Sequence, residues 1–232
     1  MPIRRSYADH GDACAAAHAL DVVGDRWSVI VIRELMLGPK RFGDLLAGAR
    51  GATPTTLTTR LRELERAGIV EQAELPPPAR VAVYRLTSWG RAFEPILQAL
   101  GRWAQDSPFL PEGGGLTPDA AILALRTMAD GPAPRKALAF DLVLHDERAT
   151  QQAESRYRIA WGPRSLTADK IAHEVESADA IACDSTLWTD LMFADGDVRR
   201  ILESDAVTAQ GKGRQIAERF LGHFRALTPS EI

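Results

Sequence analysis

The sequence predicts a mainly α-helical N-terminal domain followed by an α+β domain, and three patterns predict it. Apolar residues recur at helical spacing between strong caps from residue 27 to residue 66, and two short β-like runs follow at 70–74 and 81–86. Beyond a Pro/Gly-rich stretch at 107–117, period-two alternation returns between further helical segments.

Residues 27–37 are apolar on nearly every side (Trp27, Val29, Ile30, Val31, Ile32, Leu35, Met36), which predicts a buried central helix ended by Gly38 and Pro39. Lys40 and Arg41 then precede a short helix in which Phe42, Leu45 and Leu46 are spaced to face inward. Thr53 is a good N-cap and Pro54 suits the first helical position, so a longer helix starts there. Leu57, Leu61 and Leu64 make its apolar stripe, while Thr55, Thr56, Thr58, Thr59, Arg60 and Arg62 occupy its other faces. Gly68 supplies a left-handed stop, with Ile69 folding back behind it. The two β-like runs flank a proline-rich tip at 75–80 that ends in Arg80.

A short helix, a turn, a longer helix and a hairpin make a winged helix-turn-helix layout, in which the second helix enters the major groove of double-stranded DNA. Hydroxyls and guanidinium groups can hydrogen-bond base edges and phosphates, so the expected DNA contacts are Lys40, Arg41, Thr53, Pro54, Thr55, Thr56, Thr58, Thr59, Arg60, Arg62 and, at the wing, Arg80. The alternative is an amphipathic core helix followed by an ordinary hairpin.

The chain of 232 residues carries a net charge of −3, with 45% hydrophobic and 25% charged residues, enough for two small cores. Residues 1–105 hold 14 Lys/Arg against 11 Asp/Glu and the remainder 14 against 20, so the positive balance lies where DNA contact is expected. Modest, salt-dependent affinity follows. No apolar run reaches the roughly 18 residues needed to span a membrane. His18 and Asp21 interrupt the early apolar stretch, two cysteines fit a reducing compartment, and the expected location is cytoplasmic.

Residues 89–103 repeat Trp89, Phe93, Ile96, Leu97, Leu100 and Trp103 along a stripe longer than one small domain can cover. The expectation is one helix, kinked at Pro95, that pairs with a second subunit through Phe93, Ile96, Leu97, Leu100 and Trp103 to form a homodimer. The domain division is therefore 1–106 for DNA binding and dimerisation, 107–117 as linker, and 118–232 as the α+β part.

In that second part, Leu138, Phe140, Leu142 and Leu144 alternate as a strand, as do Tyr157, Ile159 and Trp161, with a further strand after Gly162 and Pro163. Helices are expected over 118–129, 185–193, 196–203 and a terminal segment bearing Ile216, Phe220 and Phe224, and small strands at 178–183 and 206–210.

Cys14 and His18 stand at i and i+4, where on one helix face an imidazolium would lower the thiol pKa, so Cys14 is a redox candidate beside the simpler reading of a packed thiol. His145, Asp146 and Glu147 are adjacent, which fits a solvated turn better than a metal site. No Ser-His-Asp order, phosphate-cradling loop or paired-carboxylate motif is present, so neither an enzyme nor a bound cofactor is expected.

Several of these segments together resemble HxlR-type transcriptional regulators: Cys14 and His18 to Leu20, Val23 to Trp27, Arg33-Glu34-Leu35, Gly38 to Leu45, Leu57 to Leu64 and Tyr84 to Thr87. The resemblance covers residues 10–105. Ala15 and Arg26 depart from it, standing where the family often has proline and frequently lysine. It implies a dimeric winged-helix repressor or activator with the helix at 54–67 as recognition helix and 75–80 as wing. Some members of that family use a cysteine near this position as a redox sensor.

Over 118–226, Asp184 to Trp188 and Ile201 to Lys212 resemble the sterol-carrier-protein (SCP2-like) fold. That resemblance implies an apolar tunnel for a small hydrophobic effector, with Phe140, Trp161, Trp188, Met192 and Phe193 as expected ligand-binding residues, although they can equally fill a core. A hydrophobic-ligand carrier or interaction protein whose winged domain only dimerises is the rival reading.

Overall fold

The computed structural model describes residues 6–75, 80–111, 113–129, 131–150, 153–171 and 178–227. Its chain divides into two units, residues 1–97 and 98–232.

The first unit starts with a short 3-10 turn, Ala8–His10, and α1 (Ala15–Val23). Next come α2 (Arg26–Leu35), α3 (Phe42–Gly48) and α4 (Pro54–Arg66). The Asp25 carboxylate accepts from Trp27 N to start α2, and Thr53 Oγ1 accepts from Thr56 N at 3.1 Å to start α4. Gly68, at φ +74, stops α4 while Ile69 N donates back to Leu64 O at 2.9 Å, the stop that the glycine predicts.

Val31, Ile32 and Leu35 of α2 pack with Leu45 of α3 and with Leu57, Leu61 and Leu64 of α4, all buried. The expectation that α2 is buried on every side needs correction, because Trp27, Val29 and Ile30 are only half-buried while the core side also takes in Ser28 and Glu34. Phe42 and Leu46 are likewise half-buried, leaving Leu45 as the inward anchor of α3.

Strands β1 (Val70–Glu74) and β2 (Ala82–Leu86) pair antiparallel with Val70 opposite Leu86, and Lys40 adds a bridge to Tyr84 on the free edge of β2. Val70 and Leu86, which face one another, and Val83 on the other side of the strand are the buried residues of this ribbon. The proline tip at 76–79 lies outside the described residues.

A second correction concerns the stripe after the ribbon. It forms two helices, α5 (Ser88–Arg91) and α6 (Glu94–Gln105), instead of one kinked helix. Pro95 falls in the first turn of α6, where the missing N–H breaks no helical bond, so it begins a helix instead of bending one. Within α5, Gly90 lets the helix lie close to the turn that follows α4: a Cβ there would lie 2.3 Å from Ile69 O.

The second unit contains α7 (Pro118–Met128), β3 (Leu138–His145), β4 (Ser155–Trp161), β5 (Leu166–Ile171) and β6 (Ala180–Asp184). It closes with α8 (Ser185–Phe193), α9 (Val198–Leu202), β7 (Thr208–Gln210) and α10 (Gly213–Leu227). The sheet order is β5-β4-β3-β6-β7, antiparallel except where β3 lies parallel to β6.

Alternation sorts the two faces. Phe140, Leu142, Leu144, Tyr157, Ile159 and Trp161 are buried against the helices, whereas Asp141 lies opposite Arg158 on the other face. The helical face is closed by an aromatic cluster centred on Phe220 of α10, whose ring lies 5.5 Å from Phe140, 5.3 Å from Trp161 and 6.3 Å from Trp188. Helix α7 is fastened by charge as well: buried Asp119 accepts from Tyr157 Oη at 2.5 Å and from Lys170 Nζ at 3.0 Å. On the opposite face Asp141, fully buried, is ion-paired with Arg158, which spares the sheet an unpaired carboxylate.

Candidate nucleic-acid interface

Helix α4 presents an exposed polar surface in the first unit. Thr53, Pro54, Thr55 and Arg62 are exposed, and Thr56, Thr58 and Thr59 are half-buried beside them. Two of the hydroxyls are tied to the helix itself: Thr58 Oγ1 donates to Pro54 O at 2.8 Å and Thr59 Oγ1 to Thr55 O at 2.9 Å. Their lone pairs still point away from the backbone, so as contacts they are acceptors. Arg62 makes no hydrogen bond or ion pair among the described residues and lies near enough to Tyr84 to influence its phenol. Burial raises the Tyr84 pKa, Glu65 raises it further and Arg62 opposes both.

Two expected DNA contacts are held within the fold. Lys40 places Nζ 2.6 Å from Glu34 Oε2 with its side chain 14% exposed. Arg60 is paired with Glu63 and stands 3.7 Å from Asp25, the cap of α2. Arg41 remains exposed at the start of α3, where its N–H donates to Asp44 Oδ2 at 3.2 Å. Arg80 is exposed at the foot of the wing with φ +36, a left-handed backbone that arginine rarely adopts.

Glu34 enters the sequence reading only within the Arg33-Glu34-Leu35 segment, with no role assigned to it. It is 1% exposed, receives Arg33 Nη2 at 2.8 Å and Lys40 Nζ at 2.6 Å, and presses on Gly48 of α3 so closely that a Cβ there would sit 2.6 Å from Oε2. Burial pushes its pKa up, yet the adjacent ammonium and guanidinium groups outweigh burial and hold it below the usual carboxylate range. The available signal was a glutamate inside an otherwise apolar run, six residues before a lysine.

Neither α1 nor α6 has a buried residue, and Leu20, Ile96, Leu100 and Trp103 are 52%, 52%, 44% and 78% exposed. Phe93 and Leu97 are half-buried. Cys14 is the exposed N-cap of α1 and not part of the helix, so it does not share a helical face with His18. Its thiol pKa is lowered by the N–H groups of Ala17 and Ala16 at the open helix end, a different cause from the imidazolium expected.

In the second unit, Phe140, Trp161, Trp188 and Met192 are at most 2% exposed and Phe193 is half-buried, its ring 5.8 Å from Phe224. Phe140, Trp161 and Trp188 pack around Phe220. Trp188 Nε1 is buried without a hydrogen-bond partner among the described residues. An open depression of about 770 Å³ lies elsewhere in this unit, lined by groups that include His145, Glu147, Glu154, Asp190 and Asp205. No group of carboxylate, imidazole and thiol side chains among the described residues has the geometry to hold a metal, and no helix among them is long and apolar enough to cross a membrane.

A short helix, a turn and a hydroxyl-rich second helix backed by a two-stranded ribbon define a winged helix-turn-helix protein. Residues 22–108 match the HxlR-like helix-turn-helix family. The HTH-type transcriptional regulator sll1512 of Synechocystis is 40% identical over 97 residues, which cover 41% of this chain and 71% of that protein. YodB, an HTH-type transcriptional regulator of Bacillus subtilis, is 36% identical over 86 residues, 37% of this chain and 77% of its own. The reduced form of YodB superposes with a TM-score of 0.39 at 31% identity, covering 44% of this chain and all of that one. Through its N-terminal part the chain belongs to the HxlR-like helix-turn-helix family of transcription regulators.

Proposed function

We propose that this protein is a homodimeric, sequence-specific DNA-binding regulator that reads the major groove with α4 and touches the backbone with its wing, and that its second unit takes a small hydrophobic effector. The observation that carries the reading is α4 itself: three buried leucines fix one side, while Thr53, Pro54, Thr55 and Arg62 stay exposed with the Arg62 cation uncommitted among the described residues. Arg41, Thr56, Thr58, Thr59 and Arg80 complete the proposed contact set, with Lys40 and Arg60 acting from behind it. The bare apolar faces of α1 and α6 favour a dimer. A twofold pair of recognition helices then selects half-sites about 10 bp or a multiple apart.

The effector reading rests on the aromatic cluster under the sheet. Its fully buried Trp188 N–H is a donor that an apolar ligand bearing one acceptor oxygen satisfies, and entry requires Phe220 to give way to the ligand. A thiol switch at Cys14 is the second reading, favoured by its exposure and lowered pKa.

Genome-wide capture of DNA by the full-length protein identifies operators, and quantitative binding to the recovered site tests the contacts. Arg62→Ala is expected to weaken specific binding by about 1–3 kcal/mol, whereas Arg80→Ala weakens all sequences evenly and lowers the salt slope by about 1. Unchanged affinity in both variants would remove α4 and the wing from the interface. Oxidant-dependent release abolished by Cys14→Ser would establish the second reading.

A further inference from the structure

We infer that Glu34, a residue that touches no DNA, is the positioning residue of the DNA-binding head: through Lys40 it straps the wing ribbon to the helical core, so that wing and recognition helix meet the duplex as one rigid surface. This inference rests on the proposed mode of DNA binding, in which Arg80 at the wing and Arg62 on α4 act together.

Three elements meet at the Glu34 carboxylate. Its own helix, α2, packs on α4 through Val31, Ile32 and Leu35 and the leucine stripe. Gly48 of α3 leaves room for it, and only glycine does so without displacing a buried anion. On the third side, Lys40 Nζ lies 2.6 Å from Oε2 while the Lys40 backbone is stitched to β2 in both directions, Lys40 N donating to Tyr84 O at 3.0 Å and Tyr84 N to Lys40 O at 2.8 Å. Lys40 is therefore a two-ended clasp, with its main chain in the wing sheet and its ammonium in the core. A two-stranded ribbon is marginally stable alone and needs such backing to hold an angle.

A buried carboxylate is costly unless paired, and its partners are fixed in direction, so this contact sets the ribbon's orientation more sharply than apolar packing of Val83 and Leu86 can. Tyr84, the residue gripped by Lys40, also feels the charges of Arg62 and Glu65 on α4, which puts the clasp beside the reading face.

The test uses the full-length protein as Glu34→Gln, Lys40→Met and Lys40→Arg, with amide exchange and binding to the captured operator as readouts. Glu34→Gln and Lys40→Met are expected to speed exchange of the Tyr84 and Lys40 amides at least tenfold while those of Leu61 and Leu64 keep their protection. Both should weaken operator binding about tenfold and reduce the salt slope by about 1, as loss of one phosphate contact does. Adding Arg80→Ala to either should then cost nothing further, and Lys40→Arg, which keeps the charge on Glu34, should retain wild-type behaviour.

If Arg80→Ala costs as much in the Glu34→Gln background as in the wild type, or if exchange rises equally across α4, Glu34 is merely a core residue and the inference falls. If Glu34→Gln does not fold, Lys40→Met, which leaves Arg33 on the carboxylate, decides the same question. Wild-type protein that binds no DNA would instead sink the proposed function, and the exchange result alone would then judge the clasp.

Discussion

If the proposed dimer forms through the α6 stripe, replacing Trp103 by alanine should weaken it sharply. An indole side chain presents about 200 Å² of surface, and Trp103 is 78% exposed. If a partner seals half of what is exposed, about 75 Å² per subunit leaves water, worth about 2 kcal/mol at about 25 cal/mol per Å². A twofold interface uses the residue twice, so about 4 kcal/mol is lost and the dissociation constant rises by about a thousandfold at about 1.4 kcal/mol per decade. Sedimentation velocity across a concentration series reads this directly. Phe109→Ala, in the 107–117 segment, is the control and should leave the constant alone. An unchanged dissociation constant in Trp103→Ala would refute the assignment of the α6 stripe to the subunit interface.

Three further outcomes are expected. Thiol titration of the native protein should find Cys14 reactive and Cys183 silent, because Cys183 is buried with its pKa pushed up to about 12, and denaturant should release the second equivalent; two reactive thiols in the native state would contradict the burial. Asp119→Ala strands Lys170 and the Tyr157 hydroxyl and should cost about 2–3 kcal/mol in urea unfolding, below the usual loss for a buried pair because the Lys170 side chain is 33% exposed. Since the folded Glu34 carboxyl lies below its unfolded value, its contribution is complete above the ordinary carboxylate range and is lost as pH falls through the folded pKa. Wild-type stability should therefore decline on acidification more steeply than that of Glu34→Gln, and parallel curves would contradict the ion pair.

Periodicity and caps made most of the first unit legible. Thr53, Pro54 and Gly68 bound α4 as their chemistry requires, and Leu57, Leu61 and Leu64 are its buried face. The break between α5 and α6 was not legible, because a proline within an apolar stripe reads equally as a kink or as a start, and here Pro95 stands in the first turn of α6. Cation direction was hard to see too: Lys40 and Arg60 look like Arg41 and Arg62 in sequence, yet Lys40 is turned inward by buried Glu34, and Arg60 stands near Asp25 of another element besides pairing with Glu63 one turn along its own helix. In the second unit alternation located β3 and β4, yet Phe220, the ring on which the aromatic cluster converges, appeared only as one of three apolar residues in a terminal helix.

The parallel pairing of β3 with β6 carries a kinetic cost. As the chain leaves the ribosome, β3, β4 and β5 form by neighbouring hairpins, the fast kind of contact. The other edge of β3, bearing the buried run Phe140 to Leu144, has no partner until residues 180–184 arrive, and its helical face is completed only when Trp188 of α8 and then Phe220 of α10 follow. For that interval the central strand is a sticky, hydrophobic template for any neighbouring chain. Truncations ending before β6 should therefore aggregate instead of yielding a smaller soluble sheet.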